Sequence, residues 1–230
     1  MTARLKRALD GFYAFVDKPL YLWTRPVLLV LLVPLVVGLT LPLWHMEMEA
    51  PQYPQGLSLD LYAHKLVGGH GGKDINEINI LNHYIGMNKL DRANLTELDW
   101  LPFGFGALGL LLMRVSALGN VRSLVDLSAL VTYFGGFAAL RFVLKLQAYG
   151  HDLSPDAPFK VEPFTPVIWG SKRIANFTTH ASPGTGAYLL SVFAVGVVVV
   201  TLFHLVEGRR RARREQREAE TRAAELDAEG

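Results

Sequence analysis

The chain has 230 residues, half of them apolar, a formal charge of +2 and no cysteine. The absence of thiols excludes disulfides, thiolate metal sites, c-type haem attachment and a lipoprotein anchor through this chain. The small net charge says little, because apolar residues and charges fall in separate blocks whose sign changes along the sequence.

Residues 1–25 read as a short cytoplasmic amphipathic segment. Leu5, Leu9, Phe12, Phe15 and Val16 recur at helical spacing among Lys and Arg, a pattern suited to an anionic membrane surface. Four apolar runs follow, at 26–44, 101–119, 124–148 and 186–206. Each is close to the ~20 residues that cross the hydrocarbon layer. The first has a long n-region and no small-x-small site after it, which argues for a retained anchor over a cleaved signal peptide. Lys and Arg set the orientation. Arg4, Lys6, Arg7, Lys18 and Arg25 precede the first run, Arg114 and Arg122 flank the link between the second and third, and 207–230 is an Arg-rich tail. These segments are expected in the cytoplasm. Insert 45–100, with four basic and eight acidic residues, and insert 149–185 are expected outside. Trp44 and Trp100 mark the outer interface, and Tyr21 and Trp23 the inner one.

Within 45–100, His45-Met-Glu-Met-Glu and Gly56-Leu-Ser-Leu-Asp-Leu alternate as strands do, and Pro51-Gln-Tyr-Pro54 turns between them. Gly68-Gly-His-Gly-Gly72 reads as a flexible loop. Asp74 begins a helix, with Asp74-x-x-Glu77 in capping-box form. Ile75, Ile78, Asn82 and Ile85 share one face, and Asn76, Asn79 and His83 another. Gly86 is the natural stop, which leaves the direction of Met87 relative to His83 open. Insert 149–185 is proline-rich and is expected to be an ordered, irregular cover rather than a helix. The tail is expected to be an exposed helix serving topology and solvation. The fold class is therefore a mainly α membrane protein: four transmembrane helices, both termini cytoplasmic, a small α+β periplasmic insert and a Pro-rich second one.

The chemistry concentrates in the inserts. His83 and Met87 stand four residues apart, and Met46, Met48 and His180 complete the candidate metal ligands. Imidazole and thioether are the donors a cysteine-free protein would offer copper. The plainer reading is equally physical: His83 closes a hydrogen-bond network with Asn76, Asn79 and Asn82, and the methionines pack a small core. Arg114 and Asp126 are placed to form a structural ion pair across the hairpin. Arg141 and Lys145 are placed to snorkel outward toward Asp152 and Asp156. No paired His ligands within the spans point to haem b. No phosphate loop, nucleophile elbow or HExxH motif is present, so no catalytic residue and no enzyme activity are read from the sequence.

Glu49-Ala-Pro-Gln-Tyr-Pro-Gln-Gly, Leu81-Asn-His-Tyr-Ile-Gly-Met87, Pro163-Phe-Thr-Pro and Lys172-Arg-Ile-Ala-Asn-Phe-Thr-Thr-His180 carry a resemblance over roughly residues 40–205. The chain resembles the NosB-type family of small bacterial membrane proteins associated with clade II nitrous oxide reductase gene clusters. That resemblance implies an accessory or assembly role beside a periplasmic copper enzyme, through maturation, copper supply or electron delivery. It implies copper as the cofactor to look for and the copper enzyme or its maturation or electron-transfer proteins as partners; membrane lipids are expected as partners from the apolar runs, and nucleic acid is not expected. It supplies no catalytic residues. Two alternatives stand beside it: a structural docking subunit without metal, and a quinol-linked electron-transfer component with His83 as proton acceptor.

Overall fold

The computed structural model describes residues 17–174 and 176–229, so the amphipathic pattern from Leu5 to Val16 lies outside the described residues. Helices α1 (Thr24–Val30) and α2 (Leu32–Thr40) meet at Leu31, whose backbone stays right-handed helical. Pro34 explains the interruption: it has no N–H to offer the carbonyl of Val30. The chain then forms β1 (Trp44–Ala50), β2 (Tyr53–Leu61), β3 (Leu66–Gly68), a 3-10 turn at His70–Gly72 and α3 (Asp74–Tyr84). Helices α4 (Glu97–Leu118) and α5 (Val121–His151) follow, then β4 (Gly170–Ile174), β5 (Phe177–Pro183) and α6 (Thr185–Glu229).

Among the described residues the strands make one antiparallel sheet in the order β3-β2-β1-β5-β4. The expected pairing of β1 with β2 is present, from Trp44 opposite Leu61 to Ala50 opposite Tyr53. The second insert differs from an irregular cover. Its last third is the hairpin β4–β5, and β5 pairs with β1, so the two inserts build one sheet. Phe177, Thr179 and Ala181 point to the buried face and Thr178 and His180 away from it, which is the period-2 pattern of a half-buried strand. The prolines between 155 and 166 do behave as coil.

Beside the sheet stands a helix bundle. Three described helices are long and apolar enough to cross a membrane: Glu97–Leu118, Val121–His151 and Thr185–Arg211. The apolar stretch Thr24–Thr40 is shorter. Leu28, Leu35, Leu112, Leu124, Phe193 and Val197 form the bundle core. The outward surface is apolar as well, with Val33, Leu110, Leu130, Tyr133 and Val195 all exposed. A bundle apolar inside and out is compatible with a multi-pass membrane protein. The backbones of α2 and α6 approach closely at two glycines: a Cβ on Gly186 would lie 2.6 Å from the carbonyl oxygen of Gly38.

A second core belongs to the sheet. Trp44, Met46, Met48, Leu57, Leu59 and Phe177 pack against Ile78 and Ile85 at and just beyond α3. The coil between α5 and β4 straps this layer down. The Ser154 amide donates to Gly86 O at 2.8 Å, the Phe159 amide to Tyr84 O at 2.9 Å, and the Trp44 indole to Ile168 O at 2.9 Å.

Candidate functional site

The direction of each candidate ligand follows from how α3 begins and ends. Asp74 is not a cap; no side chain caps this helix. It is the first helical residue, almost fully buried, and its Oδ2 accepts from the Ser58 amide at 2.8 Å while Oδ1 meets His70 Nδ1 at 2.9 Å. The capping-box pattern therefore reads a tie between helix and sheet as a local cap. Glu77, its other member, accepts from the Tyr53 hydroxyl, which raises the Tyr53 pKa. The far end is a Schellman turn. The Met87 amide donates to Asn82 O at 2.8 Å and the Gly86 amide to His83 O at 3.2 Å, with Gly86 at φ +80°. This turn sends Met87 back under the helix. His83, one residue after buried Asn82, stays on the exposed face beside Tyr84.

The five metal candidates thus separate. Met46, Met48 and Met87 line one cavity of about 90 Å³, with Ile78, Asn82 and Phe177 among its walls. Met46 and Met48 reach it because alternate residues of β1 share the buried face. His180 stands opposite Glu47 in the ladder and so belongs to the other, exposed face. His83 does not line the cavity. The asparagine network expected around His83 is also redistributed: Asn79 bonds the backbone of Leu90 through both ends of its amide, at 2.7 and 3.2 Å. Among the described residues, no group of three His, Asp or Glu side chains is arranged to hold a metal. The candidate donors that share one site are three neutral thioethers lining a mostly apolar pocket. That set suits a soft monovalent ion such as Cu(I) and is wrong for hard cations. It equally suits methionine as filler of an irregular core.

The opposite face of the sheet is polar. His45 lies between two carboxylates, with Nδ1 2.6 Å from Asp60 and Nε2 3.2 Å from Glu47. The hydrogen bond to Asp60 is the main cause of its raised pKa, against a lowering by partial burial.

The charges in the bundle also correct the expectation. No bridge joins Arg114 and Asp126; both lie on exposed helix surfaces. The half-buried pair sits at the sheet end instead, where Arg141 Nη2 donates to Glu97 Oε1 at 2.7 Å. Lys145 Nζ donates to Asn94 O at 2.7 Å and lies 3.9 Å from Glu97 Oε2. Arg141 and Lys145 therefore turn to the head of α4, not to Asp152 or Asp156. The antiparallel α4–α5 hairpin explains this, because it brings the start of α4 beside the end of α5. At the other end His204 is buried, 3.2 Å from Thr24 Oγ1 and stacked on Tyr21 at 4.9 Å. Sequence reasoning singled out neither Glu97 nor His204. An acid directly before an apolar run, facing two cations at the end of the next, was the available signal for Glu97.

Comparison with protein family models, curated proteins and solved structures finds no match for this chain.

Proposed function

We propose that this protein is a four-span protein of the bacterial inner membrane, with both termini cytoplasmic and the sheet domain in the periplasm. It acts there as an accessory factor for a periplasmic copper enzyme, nitrous oxide reductase being the foremost candidate by resemblance. The topology rests on the placement of Lys and Arg and on the apolar helices. The copper reading rests on one observation: Met46, Met48 and Met87, from two distant segments, line the same cavity. Copper held there would be Cu(I) on thioether sulfur, a form in which it can be passed between proteins. His83 and His180 drop from the proposed ligand set and remain surface groups available to a partner.

The test is anaerobic Cu(I) loading of the purified full-length protein. Wild type should retain copper through desalting. A triple Met46→Leu, Met48→Leu, Met87→Leu variant should lose it, and His83→Ala and His180→Ala should not. Met-to-Leu exchange roughly conserves volume, at a cost usually below about 1.5 kcal/mol per site, so the core should survive. A wild type without copper, or a triple variant that keeps it, removes the copper reading.

A second reading, docking without metal, has its own observation. Ile80, Tyr84 and Phe159 form an exposed apolar cluster, with the Tyr84 and Phe159 rings 6.2 Å apart. Partner co-purification that survives the triple Met variant and fails with Tyr84→Ser and Phe159→Ser favours that reading.

A further inference from the structure

An apolar cavity of about 640 Å³ opens between α4, α5 and α6 on the sheet side of the bundle. It shares Trp44, Leu61, Leu95, Phe142 and Lys145 with the walls of the methionine pocket but does not depend on the copper reading. Leu43 and Trp44 at the start of β1, Tyr62 after β2, and Ile168 roof it. Its wall on α5 includes Gly135-Gly136, Ala138 and Ala139, with Phe142 and Lys145 toward the roof. Small residues in membrane helices ordinarily let another helix approach. Here a Cβ added at Gly135 or Gly136 meets no protein atom within 4 Å, so no other helix packs on these two glycines.

The polar groups gather at the roofed end. Glu97 lines the cavity there, its side chain 12 % exposed, with Oε1 held by Arg141. Its Oε2 is buried and accepts no hydrogen bond, and the Lys145 ammonium at 3.9 Å is too distant to supply one. Buried carboxylate oxygens normally find a donor. Trp100 and Phe142 are among the lining aromatics, and Phe142 meets Trp44 edge-on at 5.5 Å.

We propose that this cavity binds an isoprenoid quinol. The ring lies under the roof, a hydroxyl donates to the Glu97 carboxylate, and the chain runs along Gly135-Gly136 between α5 and α6. The volume falls within the usual range of small-molecule sites. The aromatic walls suit a flat ring. A phospholipid phosphate would be drawn to Arg141 and Lys145, but a phosphodiester has no donor to offer Glu97 Oε2, whereas a quinol hydroxyl has one. A paired carboxylate offers only acceptors, so it should prefer the hydroxyl-bearing quinol to the quinone.

The experiment titrates full-length protein in phosphatidylglycerol nanodiscs with a short-chain prenylated naphthoquinol, kept reduced, and with the matching quinone. The expected result is saturable binding of one quinol per chain, about ten-fold tighter than the quinone, as one charge-assisted hydrogen bond would give. Glu97→Gln brings its own N–H donors and should erase that preference. Gly136→Leu fills the open wall and should abolish binding with the thermal unfolding midpoint no lower than wild type. Uptake that is non-saturable or unchanged in Gly136→Leu overturns the proposal. So does equal affinity for quinol and quinone, or a stoichiometric phospholipid that the quinol does not displace.

Discussion

His45 shows how one imidazole can make the sheet domain sensitive to pH. It bridges Asp60 and Glu47, and the Asp60 bond in particular raises its pKa above the usual value of about 6.5. A group whose pKa is higher folded than unfolded stabilises fully below the unfolded value and loses that contribution as pH rises through the folded one. The sheet domain should therefore melt at a higher temperature at pH 6 than at pH 8.5. His45 is 36 % exposed at its side chain, so solvent screens the pair and added salt should narrow the difference. Asp60→Asn removes the main cause and should flatten the profile. An identical pH dependence in wild type and Asp60→Asn would show that His45 has no part in it.

The C-terminal turn of α3 decides what the candidate site is made of. Gly86 holds φ +80°, and a Cβ there would lie 2.9 Å from the Ser154 amide nitrogen. Gly86→Ala should thus cost the left-handed strain of about 1–2 kcal/mol plus the contact with the strap. Denaturant unfolding should register that loss, and Cu(I) retention should fall with it because Met87 is displaced. Unchanged stability would mean the turn can relax without consequence. The same turn marks where legibility in sequence ended. Period-2 alternation made β1 and β2 readable, and helical spacing gave the buried face of α3. Met46 and Met48 were legible as one strand face for the same reason. Spacing alone could not orient Met87, because two backbone bonds across Gly86 do so. His180 was out of reach for a different cause: its side of the sheet depends on a register with Glu47, set by strands far apart in sequence. The prolines between 155 and 166 hid β5, although Phe177-Thr-Thr-His-Ala carries the alternation. Glu97 and Arg141 needed the α4–α5 hairpin before either had a visible partner.

At the scale of the molecule the proposed fourth crossing turns on Thr24–Thr40. That stretch has 17 residues, about 25 Å of helix against a hydrocarbon layer of ~30 Å. Its contacts nevertheless run the height of the bundle. At one end the Val121 amide donates to Lys18 O at 3.0 Å and the Ser116 hydroxyl to Arg25 O at 2.7 Å, beside the α4–α5 turn. At the other, Gly38 meets Gly186 just where β1 enters the sheet domain. A segment lying flat on the sheet side could not make both sets of contacts. The chain has no cysteine, so single cysteines report cleanly. Gln52→Cys and Ser154→Cys should react with a membrane-impermeant maleimide added to spheroplasts. Asp17→Cys and Arg209→Cys should react only after permeabilisation. Asp17→Cys is the discriminating position: labelling it from outside together with Gln52→Cys leaves three crossings and places the N-terminus beside the sheet. Protection of Asp17→Cys and Arg209→Cys alike requires an even number of crossings, and with three long apolar helices already present the fourth must be Thr24–Thr40.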